Sequence, residues 1–72
     1  MEATRGELAA IRALKRVEGK WPDTIWLYCT GNGMHVFRCG ENGEHVMDRS
    51  GTPDTDYELD YITGIDHDGG DF

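Results

Sequence analysis

Thr24-Ile25-Trp26-Leu27-Tyr28-Cys29-Thr30-Gly31-Asn32-Gly33-Met34-His35-Val36-Phe37-Arg38-Cys39 places two runs rich in β-branched and aromatic residues on either side of a Gly-Asn-Gly triplet. Such runs favour a pleated, half-buried surface, and the triplet supplies turn residues, so the stretch predicts a hairpin of strands Thr24–Thr30 and Met34–Cys39. Its register stays open between two loops. A three-residue Gly31–Gly33 loop pairs Leu27 with Phe37, whereas a two-residue Asn32-Gly33 loop shifts every partner by one and moves side chains across the sheet. If Ile25, Leu27 and Cys29 face the core, alternation turns Trp26 and Tyr28 to the opposite, open face.

Working outward, Gly40-Glu41-Asn42-Gly43 reads as a second turn, and Glu44–Arg49 as a third strand of a meander. Ser50–Asp54 is a longer turn, after which Asp56–Ile65 predicts a fourth strand. Upstream, Thr4-Arg5-Gly6-Glu7 has the spacing of a capping box, predicting a helix from Arg5 to Glu18 that stops at Gly19 ahead of Trp21-Pro22. Its apolar side carries Ala10, Ile11, Ala13, Leu14 and Val17, and Arg5, Arg12 and Arg16 gather opposite. The expected fold is α+β: one N-terminal helix packed on a three- or four-stranded antiparallel β-meander. Residues 1–65 form a single domain and residues 66–72 an acidic flexible tail.

Charge is segregated along the chain. Residues 1–23 hold five basic and four acidic side chains, net +1; residues 24–72 hold two basic and ten acidic, net −8, which together give −7. From Thr52 to Phe72 there are seven carboxylates and no Lys or Arg. This balance argues against direct nucleic-acid binding and against a polybasic membrane-surface protein, both of which rely on cations to meet phosphates. A protein with a basic surface is the matching partner. No apolar run approaches the roughly 20 residues that span a bilayer, and the first 20 residues lack the apolar core of a signal peptide, so a cytoplasmic protein with reduced Cys29 and Cys39 is expected. At 72 residues the chain buries only a little over ~60% of its unfolded surface. A deep enzyme cleft is hard to build at that size, and a homodimer is an open option.

The densest candidate site is Asp54, Asp56, Glu58 and Asp60, alternating with Thr55, Tyr57, Leu59 and Tyr61. In a strand, period two puts all four carboxylates on one face, spaced about 6.6 Å apart, near twice the ~3.4 Å rise per phosphate in one DNA strand. Such a ladder serves as a contact for a basic, nucleic-acid-binding protein or as a solvated edge that resists aggregation. Trp26 and Tyr28, on the open face, would anchor the partner. Asp66-His67-Asp68-Gly69-Gly70-Asp71 fails the spacing of a calcium loop. Cys29, Cys39, His35, His45 and His67 lack the local pairs of a zinc site, although the three-residue register would cluster Cys29, His35 and Cys39. A Cys29–His35 pair has no orienting third group, so no catalytic residue, metal or cofactor is assigned and the chain is read as a non-enzyme.

The ending Ile62-Thr63-Gly64-Ile65-Asp66-His67-Asp68-Gly69-Gly70-Asp71-Phe72, with the capped helix and Trp-bearing strands of a short acidic chain, resembles the small accessory proteins encoded by bacteriophages and prophages. That resemblance implies a modulator or inhibitor of a host machine, defence nucleases included, or a minor assembly factor, acting in the host cytoplasm. The expected function is therefore a non-catalytic acidic binding module for a host protein with a basic surface. Its rival is a structural protein that self-associates by joining its arginine helix face to its acidic sheet face.

Overall fold

The computed structural model describes residues 1–67. Helix α1 spans Arg5–Lys20, and its start is the predicted capping box: the Glu7 N–H donates to Thr4 Oγ1 at 3.1 Å, and the Thr4 N–H donates to Glu7 Oε1 at 2.7 Å. Both otherwise orphaned donors are thereby satisfied. The helix runs two residues past the expected stop, through Gly19. Termination is set by Trp21, held extended ahead of Pro22; the Trp21 N–H donates to the Glu18 carbonyl at 3.3 Å.

Strands β1 (Ile25–Thr30), β2 (Gly33–Arg38) and β3 (Glu58–Ile62) form an antiparallel sheet in the order β1-β2-β3. The α+β class and N-terminal helix therefore stand. Neither expected hairpin register is adopted. The turn is Gly31-Asn32, pairing Trp26 with Phe37, Leu27 with Val36 and Tyr28 with His35. Thr30 makes the difference: its hydroxyl accepts from the Asn32 N–H at 3.2 Å and donates to the Gly33 carbonyl at 3.4 Å, closing the turn one residue early. Gly33 is released into β2, where its φ is +158° and Tyr61 lies so close that a Cβ would meet the ring at 2.6 Å. The backbone thus uses Gly33 for close approach of an aromatic ring.

Two further strand expectations are corrected. Glu44–Arg49 is not a sheet strand. The Asp48 carboxylate accepts from the Ser50 hydroxyl, the Ser50 N–H and the Thr52 N–H at 2.7–3.1 Å, tightening a turn in which Gly51 adopts φ +83°. Only a stub remains, with Met47 bridged to Pro53 and the Asp54 N–H donating to Val46. The expected strand Asp56–Ile65 forms only over Glu58–Ile62, and Asp54–Asp60 is not one extended segment. Asp54 caps a 3₁₀ turn, Thr55–Tyr57, by accepting from the Asp56 N–H at 3.0 Å, and β3 starts only at Glu58.

The core lies on the face expected to be open. Phe37 is 3% exposed, stacked on Trp26 with centroids 5.3 Å apart and edge-on to Tyr28 at 6.4 Å. Residues 39–57 fold over this aromatic face. His45 lies parallel to Trp26 at 3.9 Å, and Pro53 is buried beside Phe37 and Tyr28 at a small cavity of about 150 Å³. Covering the sheet thus falls to the β2–β3 connection, while α1 contributes no buried residue. Its stripe remains open, with Leu8 42%, Ile11 43%, Leu14 59% and Val17 49% exposed.

Candidate functional site: carboxylates around the roofed sheet

The four carboxylates of the expected ladder do not share a face. Asp54 is half-buried and caps the 3₁₀ turn, and Asp56 within that turn is exposed. Glu58 points to the aromatic side, its Oε2 2.7 Å from His35 Nδ1. Asp60 sits opposite Val36 on the other side of the sheet, its Oδ1 accepting from the Tyr61 N–H at 2.7 Å. An irregularity in the ladder between Val36 and Phe37 leaves Leu59 without a partner, breaking the period-two spacing. Trp26 and Tyr28 are also not exposed anchors: both are half-buried around Phe37 beneath the 39–57 connection. The six residues thus do not form one surface, because a turn-forming aspartate and a bulge intervene where the alternation implied a straight strand.

What the fold leaves in solvent is a scattered belt of carboxylates, spread over the β2–β3 connection, β3 and the segment after it. Glu41, Glu44, Asp48, Asp56, Asp60 and Asp66 are all exposed. Among the described residues the only acid–base pair within 4.0 Å is His35–Glu58, so no Lys or Arg is in contact with these carboxylates, and Arg38 lines a hollow together with Glu41. Glu44 accepts from the Asn42 N–H at 3.1 Å, and Asp48 is held in its turn. The Asp48 carboxyl lies below the usual carboxylate range, chiefly because the Ser50 hydroxyl and then the Thr52 N–H donate to its ionised form.

All three histidines join distant segments, which no local motif announced. His35 stacks on Tyr61 at 4.3 Å as well as meeting Glu58, and His45 stacks on Trp26. His67 lies between two carbonyls, with Nδ1 2.9 Å from the Ile65 oxygen and Nε2 2.7 Å from the Thr30 oxygen. These acceptors, Ile65 first and then Thr30, raise its pKa above the ordinary histidine value, because only an imidazolium donates from both nitrogens.

The conjectured Cys29–His35 pairing fails with the register. Cys29 pairs with Met34, and its neighbour His35 points to the opposite face. Both cysteines are free and half-buried. Among the described residues no three His, Cys, Asp or Glu side chains converge to hold a metal ion, and no helix is long and apolar enough to cross a membrane. The tail read from residue 66, and the Asp66–Asp71 segment weighed as a calcium loop, lie outside the described residues beyond His67. No protein-family model matches the chain, and no curated protein or solved structure matches it.

Proposed function

We propose that this chain is a non-catalytic binding module whose acidic belt engages a protein with a basic surface, such as a nucleic-acid-binding protein of a host cytoplasm. The observation that carries the reading is the absence, among the described residues, of any Lys or Arg within 4.0 Å of these carboxylates. Unneutralised like charges on a small domain repel one another, and a basic partner relieves that repulsion while being steered towards it. The geometry narrows the candidate residues: Asp56 and Asp60 are exposed at the 3₁₀ turn and β3, whereas Asp54 is half-buried as the cap of that turn, Glu58 is engaged with His35, and Trp26 and Tyr28 hold the core. The resemblance to phage-encoded accessory proteins adds the context of a host target.

The test compares affinity capture from a bacterial lysate by the wild type and by the Asp54→Asn, Asp56→Asn, Asp60→Asn triple variant. Asparagine still caps a helical turn, so the 3₁₀ turn survives. Expected are basic proteins held by the wild type, released at ~0.5 M salt, where screening shortens to a few ångströms, and missing from the variant. An identical captured set for both proteins overturns the reading.

A further inference from the structure

We propose that a second copy of this chain covers the open stripe of α1, giving an isologous dimer of antiparallel α1 helices centred on Ile11. Three observations carry it, none of which depends on the acidic belt.

The first is that α1 lacks cover. Its stripe residues are 42–59% exposed and only Ala13 on the helix is even half-buried. A lone 16-residue helix is marginal in water even when capped, because helices in proteins draw most of their stability from burying an apolar side.

The second is surface. The chain exposes 6069 Å², against about 4,500 Å² for a compact monomer of 8.1 kDa. The open stripe of α1 is part of that surface, and a standard interface withdraws ~800 Å² from each partner. The chain's Cα radius of gyration is 14.5 Å, where about 11 Å is expected for this length, so the excess reflects an elongated shape.

The third is self-complementarity. In an antiparallel pair with Ile11 on the two-fold axis, residue numbers of facing positions add to 22. Nearest the axis, Leu8 then faces Leu14 of the other copy and Glu7 faces Lys15, so apolar meets apolar and acid meets base, while Val17 and Arg5 fall at the rim. Two open grooves that share Ala10 run end to end along one flank of the helix beside Ile11: one is lined by Ala10, Ala13, Leu14, Val17 and Ile65, the other by Met1, Glu2, Ala3, Glu7, Ala10 and Ile11. The alanines leave room for the partner's larger side chains. Arg5, Arg12 and Arg16 lie about 100–140° around the helix from Ile11 on the flank away from Ala10, Leu14 and Val17, at the rim of the contact. This differs from joining the arginine face to the acidic sheet.

The test is sedimentation equilibrium of the full chain from about 1 μM to about 1 mM, with helix content followed by circular dichroism. The wild type is expected to reach twice the mass of the 8.1 kDa chain. Ile11→Glu places two like charges on the axis and raises the dissociation constant about 30-fold or more, and Arg12→Glu leaves it within about threefold. Should Ile11→Glu fail to fold, Ile11→Cys gives the same answer: mild oxidation links it as a dimer across the axis, while Arg12→Cys remains monomeric. A wild type that is monomeric throughout with full helix content overturns the proposal. So does a dimer indifferent to Ile11→Glu, or one that ~0.5 M salt dissolves, which would mark the arginine face instead.

Discussion

Replacing Phe37 by alanine strikes the one large apolar side chain that the described fold buries, at 3% exposure. The ring sits among Trp26 at 5.3 Å, His35 at 6.1 Å and Tyr28 at 6.4 Å, and borders an existing cavity of about 150 Å³. Truncation merges the vacated volume with that cavity, and the stacked rings around it cannot close in without leaving their own partners. The cost therefore falls in the usual range for phenylalanine truncation, about 3–5 kcal/mol. A domain of 72 residues holds about 4–11 kcal/mol in all, so Phe37→Ala removes about a quarter of it or more. At a urea slope of about 1 kcal/mol/M, the unfolding midpoint falls by about 3 M or more, or the variant is already unfolded in buffer. Tryptophan fluorescence reads this directly through Trp26, with circular dichroism as a second probe. Leu59→Ala, at the ladder irregularity and 48% exposed, serves as the control and shifts stability by under about 1 kcal/mol. A Phe37→Ala midpoint within about 0.5 M of the wild type, at unchanged slope, refutes the assignment of the aromatic face as the core.

Two further outcomes follow from the same geometry. His67 binds its proton more tightly in the folded chain, so the contribution of its bridge is complete below the ordinary histidine pKa of 6.5 and is lost as pH rises through the raised folded value. An NMR titration of the ring checks the direction: a midpoint at or below 6.5 removes the bridge from the account, as does a stability profile in which His67→Ala leaves the pH dependence unchanged. Gly33→Ala drives a methyl into the Tyr61 ring and the Ile62 carbonyl, at 2.6 and 2.8 Å, and costs about 1–3 kcal/mol in urea unfolding, whereas Gly31→Ala meets nothing within 4 Å and is close to neutral. Equal stability of the two variants contradicts the packing of Tyr61 over the hairpin.

Local chemistry was legible in the sequence where a short motif closes on itself. Thr4 and Glu7 specify the helix start, and the two apolar runs around Gly31 specify a hairpin, because each signal acts over a few residues. The register escaped because the Thr30 hydroxyl competes for the turn's backbone groups, a choice that the Gly-Asn-Gly triplet leaves open. That one-residue difference decides which face of the sheet becomes the core, and with it the burial of Trp26 and Tyr28. The acidic alternation misled for a related reason: period two describes a strand only if the backbone is extended, and Asp54 stabilises a turn by capping it. Glu58 carries no sequence sign of its attachment to His35, 23 positions away, which only the pairing of β2 with β3 brings about.

The residues between β2 and β3, numbers 39–57, are at once the link between neighbouring strands and the lid on the aromatic side. Closing a 19-residue connection costs about 2 kcal/mol more in chain entropy than closing the two-residue turn of the first hairpin, being a little over three doublings in length. The less costly closure joins the two strands that carry the tryptophan, tyrosine and phenylalanine, and the more costly one covers those rings. Shortening the 39–57 segment without touching Phe37 is therefore expected to lower the entropic cost of shutting the interior.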